Sequence, residues 1–201
     1  MSRLCVLPII EGHGEDGSIR TLLQRIWTEL LDGEYVEVLK PIRVNRYKVV
    51  QSEELGRVVN LAAAKLREAT SDDPSMILIL IDAENDAPCV LGPDLLRRAR
   101  EHRGDVDISC VLANVQYETW FVAAAPSLGD HLDLSGDTKL PESPEAARLG
   151  KAWIKKRIRG IKYSETVDQP SMTKAMDLSL CRSKSPSFDK LCRELEVRLN
   201  G

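Results

Sequence analysis

The chain has 201 residues, 43% of them hydrophobic, with 31 acidic against 28 basic residues and a net charge of −3. That length and apolar content support one domain with its own core, and the near balance of charge calls for neither nucleic acid nor an anionic membrane as a partner. No apolar stretch approaches the ~20 residues of a membrane span, and five cysteines (Cys5, Cys89, Cys110, Cys181, Cys192), an odd number without a CxxC pair, argue against a disulfide framework and a zinc site.

Arg3 leads into a short apolar run that reads as a strand rather than as a signal peptide, so a soluble protein of the reducing cytoplasm is expected. That run, residues 4–10, is continuously apolar, as in a strand covered on both faces. A helix over 17–31 follows, its apolar face made by Ile19, Leu22, Leu23, Ile26, Trp27 and Leu30 and its end set by Gly33. Residues 35–44 read as a second strand. A helix opens at Ser52 or Glu53 and runs to about Ala69, and Ser71-Asp72-Asp73-Pro74 forms a turn. Residues 76–81 make a third strand. Pro93 stands near the start of a helix with Leu95, Leu96 and Ala99 turned inward, and residues 107–113 make a fourth strand.

Strands alternating with helices in this way predict a mostly parallel four-stranded sheet flanked by helices. Residues 118–125 read as a short helix, and the Pro-, Gly-, Asp- and Ser-rich stretch 126–144 as a long loop or mobile segment. Helices are expected over about 145–158, 171–180 and 186–199, the last entered through Ser185-Pro186 or Ser187. The predicted organisation is an α/β domain over 1–125, with a loop and helical C-terminal extension over 126–201 packed on it.

Two acidic turns follow two of the buried strands. The first is Glu11-Gly12-His13-Gly14-Glu15, and the second is Asp82-Ala83-Glu84-Asn85-Asp86. Open α/β sheets place their sites at the carboxyl ends of strands, and carboxylates brought close together call for a cation between them. Gly12 and Gly14 permit a sharp turn and close approach of a phosphate. Glu15 and Asp16 serve equally well as first-turn acids that complement the helix dipole. If the second segment stays extended, Asp82, Glu84 and Asp86 share one side and suit a hard, oxygen-liganded ion such as Mg2+. A solvated loop gives the same acidic pattern. Glu118, just after the fourth strand, could join this set or serve only as an N-terminal helix acid.

Gly12, Gly14 and Gly17 also spell GxGxxG between a strand and a helix, the dinucleotide fingerprint in its usual context. Here the turn carries Glu11, Glu15 and Asp16, whose charge opposes a pyrophosphate at the helix N-terminus, so this reading ranks second. Lys151, Lys155, Lys156, Arg157, Arg159 and Lys162, interleaved with Trp153 and Tyr163, form a basic stretch suited to phosphate contacts or to a solvated helix face. No Walker loop and no Ser/His/Asp or Cys/His set is spaced for catalysis.

A strand ending in Glu-Gly, a helix, and a later strand ending in an Asp-x-Asp variant together resemble the TOPRIM domain of topoisomerases, primases and overcoming-lysogenization-defect nucleases. Residues 6–15, the Asp82 cluster and Tyr117-Glu118-Thr119-Trp120-Phe121 are more closely similar to small stand-alone TOPRIM-like proteins of unknown function. Those are often encoded beside an ABC-type ATPase, and some are nuclease effectors of PARIS-type phage defence. The stretch from Tyr163 through Asp168, Gln169 and Asp177 to Phe188 is also similar to that family. The resemblance implies a TOPRIM-like (Rossmann-like) fold and Mg2+- or Mn2+-dependent cleavage of DNA or tRNA, with an ATPase partner and a possible homodimer. It assigns acid–base or metal-polarising work to Glu11, metal binding to Asp82 and Glu84 with help from Asp86, and completion of the site to Glu118. Lys155, Lys156, Arg157, Arg159 and Lys162 would hold the polynucleotide backbone. Glu84 stands where the pattern has Asp. A TOPRIM-like module that binds metal or a partner without cutting is the alternative.

Overall fold

A computed structural model of the chain describes residues 4–70, 74–135 and 140–199, without the side chains of His13 and Ser52. The expected turn residues 71–73 and the loop residues 136–139 lie outside the described residues. In chain order the first half is β1 (Leu4–Ile10), α1 (His13–Arg25), β2 (Val36–Val38), β3 (Ile42–Arg43), α2 (Arg46–Val50), α3 (Ser52–Ala69), β4 (Ser75–Asp82), α4 (Pro88–His102) and β5 (Asp107–Ala113). The second half is helical: α5 (Glu118–Ala123), α6 (Lys151–Lys155), α7 (Asp168–Ala175), α8 (Leu178–Lys184) and α9 (Pro186–Leu199).

Among the described residues the sheet has five strands rather than four, in the order β2-β1-β4-β5, with β3 also paired to β1 and every pairing parallel. The expected second strand is split because Pro41 lacks a ladder donor. Its halves pair with opposite ends of β1, Val36 beside Leu4 and Arg43 beside Ile10. The continuous apolar runs resolve into two alternating faces. Cys5, Leu7, Ile9, Ile77, Ile79, Ile81 and Cys110 pack under α3 and α4 on one side. Val6, Ile10, Met76, Leu78, Leu80 and Val111 pack under α1, α5 and the C-terminal helices on the other. Residues from the C-terminal third, Phe188, Leu191 and Leu195 among them, therefore belong to the core of the second face.

Several element boundaries differ from the sequence expectation. The first helix begins at His13 and ends in a π-helical turn over Ile26–Leu30. Past its end the Gly33 N–H donates to Trp27 O at 2.8 Å, and the Trp27 indole lies against the Gly33 Cα. The helix α4 begins at Pro88, so Pro93 lies inside it. Of the helix expected over 145–158, only α6 forms; Arg148 stands at φ 51, and residues 144–148 are turns. The helix expected over 171–180 is two, because Asp177 caps α8 by accepting from Leu180 N at 2.8 Å.

One buried carboxylate ties the turn segment to the last helix. Glu145 accepts from Ser187 N at 2.9 Å, Ser187 Oγ at 2.7 Å, Asn114 Nδ2 at 3.1 Å and also from Ser185 Oγ. Ser185 Oγ in turn accepts from Phe188 N at 3.2 Å, the N-cap bond of α9. Removing Glu145 strands several buried donors, whose loss costs more than the bonds themselves contribute. Glu145→Ala is expected to lower stability by roughly 2–4 kcal/mol, read as a fall in urea midpoint at unchanged m-value.

Candidate functional site

The carboxyl ends of β1 and β4 lie side by side, with Ile10 opposite Leu80. This register brings Glu11 and Asp82 to one edge. Among the described residues they line a cavity of about 120 Å³ together with Gly12, Glu15, Glu84, Gln116, Glu118, Lys151, Glu165 and Gln169. Six acidic residues thus meet one lysine.

Glu15 and Glu118 are buried, at 5% and 2% exposure. Glu15 reaches back from the third helical position to accept from Glu11 N at 3.0 Å and Gly12 N at 3.2 Å. This is half of a capping box, since Gly12 has no side chain to return the bond. Asp82 Oδ1 accepts from Tyr117 N at 2.8 Å, which ties the end of β4 to the loop before α5. The Asn114–Val115 peptide in that loop is cis. Glu118 Oε1 accepts from Tyr163 Oη at 3.1 Å and lies 3.7 Å from Lys151 Nζ, which pairs more closely with Glu165 at 3.1 Å.

The second acidic turn is not extended. Glu84 adopts φ 50, a left-handed conformation that a non-glycine residue takes at a cost of about 1 kcal/mol. Its N–H donates to Val115 O at 2.7 Å, and Arg148 donates to its carbonyl at 2.9 Å. From the other face Arg46 donates to Asp82 O at 2.8 Å and Ala83 O at 3.0 Å, pairs with Asp86, and lies 3.8 Å from Glu84 Oε2. The alternation expected over 82–86 therefore stops at Asp82. Asp82 and Glu84 line the cavity, while Asp86 is held outward by Arg46.

The two glycines have different roles. A Cβ on Gly12 would make only an ordinary contact, with Glu15 Oε1 at 3.5 Å. A Cβ on Gly14 would strike the Gln169 side-chain oxygen and come within 2.6 Å of Glu165 O, and one on Gly17 would lie 3.0 Å from Pro170. The surface expected to admit a phosphate at Gly14 is thus covered by the chain's own α7. With Glu11 N–H and Gly12 N–H just before the helix taken by Glu15, and α7 seated on Gly14 and Gly17, the dinucleotide geometry has no room at this turn.

In the basic stretch, Lys155, Lys156 and Lys162 are exposed. Arg157 stacks on Trp153 at 4.1 Å from the ring centroid, and Arg159 donates to Gly129 O at 2.7 Å. Only Lys151 of this stretch lines the cavity.

Burial raises the pKa of each central acid. For Glu15 it outweighs the bonds from Gly12 and Glu11 N–H and lifts the value to about 7. Asp82 is raised by burial and then by Glu15 and Glu118. Glu11 is raised by burial and by Glu84, against Arg46 and Lys151. Glu118 is raised by burial against the pull of Lys151. Burial alone would lower Lys151, but Glu118 and Glu165 hold it above its ordinary value.

Glu15, Gln116, Lys151, Glu165 and Gln169 are cavity residues outside the set read from the sequence. Glu15 carried a signal, as the third-position acid of a capping pattern, and Lys151 headed the basic stretch. Gln169 was named only within the stretch resembling the family, with no role, and Gln116 and Glu165 were not singled out.

Among the described residues no three His, Cys, Asp or Glu side chains form a ready-made metal cage. Mg2+ does not require one, because it takes one or two carboxylates and keeps several waters. Glu11 Oε2 is buried without a hydrogen-bond partner, and so is Gln169 Nε2. Hard oxygen donors, raised carboxyl pKa values and an orphaned carboxylate oxygen fit a divalent cation bound in that way. No described helix is long and apolar enough to cross a membrane.

The chain belongs to the family described as a domain of unknown function (DUF4276), whose profile matches residues 10–196. No curated protein and no solved structure matches it.

Two measurements test this geometry. Gly14→Ala is expected to destabilise by roughly 1–3 kcal/mol through overpacking against Glu165 and Gln169, checked by chemical denaturation. The second concerns pH. A carboxyl raised from 4.5 to about 7, as at Glu15, binds its proton more tightly in the folded state. Its contribution is therefore complete below pH 4.5 and is lost as pH rises through about 7. Metal-free protein should melt at higher temperature at pH 6 than at pH 8. Glu15→Gln should flatten that slope and stabilise at pH 8 by on the order of 1–3 kcal/mol.

Proposed function

We propose that this DUF4276 protein is a Mg2+- or Mn2+-dependent nuclease that hydrolyses phosphodiester bonds in DNA or RNA. The observation that carries the reading is the convergence of Glu11, Asp82 and Glu118 with Glu15 on one cavity at the carboxyl edge of a parallel sheet, with a single lysine among them. Such an excess of desolvated negative charge is stable only with protons or cations present, and hard divalent ions are the cations that oxygen donors select.

Glu11 and Asp82 would hold the ion, with Glu84 at the mouth. When bound, it would supply Lewis-acid polarisation of a phosphoryl oxygen and a more acidic water. The chain's own residues do the rest. Glu118, raised by burial and fixed by Tyr163, is placed to hold a proton and pass it on. Lys151 presents a positive charge toward an entering phosphate, and Gln169 offers an amide donor to one of its oxygens. The exposed Lys155, Lys156 and Lys162 extend a basic surface beyond the cavity, with Arg157 and Arg159 beside them, for the flanking backbone.

The TOPRIM-like assignment, a role in phage defence, an ABC-type ATPase partner and a cytoplasmic setting belong to this proposal. The first three are supported by the resemblance of the Glu11-Gly12, Asp82–Asp86 and Tyr117–Phe121 motifs, and the last by an odd number of cysteines without a CxxC pair.

The test is cleavage of plasmid DNA and total tRNA with Mg2+, Mn2+ or EDTA, wild type beside Glu11→Ala. Cutting that needs metal and falls at least 100-fold in the variant, with both proteins equally folded by circular dichroism, is the expected result. Absence of cutting on either substrate by folded wild type, with or without a co-expressed ATPase, would exclude nuclease activity.

A further inference from the structure

We infer that the site takes one divalent cation rather than two, on its Glu11–Asp82 side, and that the Lys151 ammonium is the built-in cation of the Glu118–Glu165 side. The inference rests on the metal-dependent reading above and gives it a stoichiometry.

The two halves of the cavity are partnered unequally. On one half, Glu118 Oε1 already receives the Tyr163 hydroxyl at 3.1 Å and has Lys151 Nζ at 3.7 Å, and Lys151 is 3.1 Å from Glu165. The lysine is itself anchored. Its backbone N–H donates to Gln116 Oε1 at 3.1 Å. The preceding Gly150 lies so close to Gln116 that a Cβ there would come within 2.8 Å of the amide oxygen. The start of α6 is thereby pinned beside α5, and the ammonium is held between Glu165 and Glu118.

Elsewhere in the same cavity, two buried polar atoms have no partner. They are Glu11 Oε2, an acceptor, and Gln169 Nε2, a donor on a side chain only 3% exposed. Both residues line the same cavity. An orphaned carboxylate oxygen asks for a cation, and an orphaned amide N–H asks for an oxygen acceptor beside it. One hydrated divalent ion, or one ion with a phosphate oxygen, answers both demands. A second dication on Glu118 Oε1, at a metal–oxygen bond of about 2 Å, would stand within about 6 Å of the ammonium, which is 3.7 Å from that oxygen, and like charges that close repel at the reduced dielectric of a part-buried site. The lysine therefore supplies the second positive charge that a two-metal site would obtain from its second ion.

The experiment counts Mn2+ bound to the full chain without nucleic acid, by electron paramagnetic resonance of free Mn2+ and by calorimetry. Wild type is expected to bind one ion. Lys151→Gln should bind two, while Lys151→Arg should bind one. Glu165→Gln, a change at the half-exposed mouth that leaves the core untouched, should still bind one, and it decides the matter if Lys151→Gln does not fold. Two ions in wild type would overturn the inference and leave the metal reading standing. So would a single ion in folded Lys151→Gln, or loss of the ion in Glu165→Gln. No Mn2+ bound by folded wild type would end the metal reading itself.

Discussion

Burying carboxylates away from water disfavours their charged form, and most of the chain's second half can be understood as a response to that cost. The sheet edge brings Glu11 and Asp82 together because β1 and β4 are in parallel register. The first helix adds Glu15, and the start of α5 adds Glu118. Backbone donors relieve part of the burden, from Glu11, Gly12 and Tyr117. The remaining relief comes from the segment running from α6 to α7, which contributes Lys151 and Tyr163 and lays Gln169 over the cavity. Without that segment the acids would face water, where they would be ordinary solvated carboxylates.

The same segment explains the glycines of the first turn. To bring Gln169 over the acids, α7 must lie against the start of α1, and Gly14 and Gly17 leave the space it needs. A pattern that reads in sequence as a phosphate cradle is in the fold a helix–helix contact. What distinguishes the two is which atoms occupy the place of the missing Cβ. In a cradle that place belongs to the ligand, and here it belongs to Gln169, Glu165 and Pro170.

Much of the sheet was legible in the sequence because its strands are apolar on both faces. Residues 107–113 and 76–81 read as strands for that reason, and the structure extends the latter by one residue at each end. The second strand misled because the β-rich composition of 35–44 runs through Pro41, where the ladder must break. In the site, Glu11, Asp82, Glu84 and Glu118 were legible as polar residues where buried runs end, and all four line one cavity. The placement of Asp86 was not legible, because it depends on the left-handed turn at Glu84 and on Arg46, whose contact spans 40 positions. Glu15 was ambiguous on physical grounds, since an acid that caps a helix and an acid that lines a site occupy the same third position. Gln169 was legible only as part of the family-like stretch and not as a site residue, because its role exists only once α7 packs on α1.

These contacts divide the site into a buried floor and a half-exposed mouth. Glu15, Glu118 and Asp82 are held by backbone donors or a buried hydroxyl, and burial makes each such bond costly to lose. At the mouth, Glu84 and Glu165 have side chains 52% and 45% exposed and meet cations that arrive from opposite faces of the sheet, Arg46 and Lys151. Ion pairs at that exposure each contribute only about 0–1 kcal/mol. A charged ligand can therefore exchange with them at little cost, whereas the floor cannot rearrange without giving up buried bonds. Rigid carboxylates beneath a mouth lined by weak, exchangeable ion pairs make a site that keeps its shape while its counter-charges change.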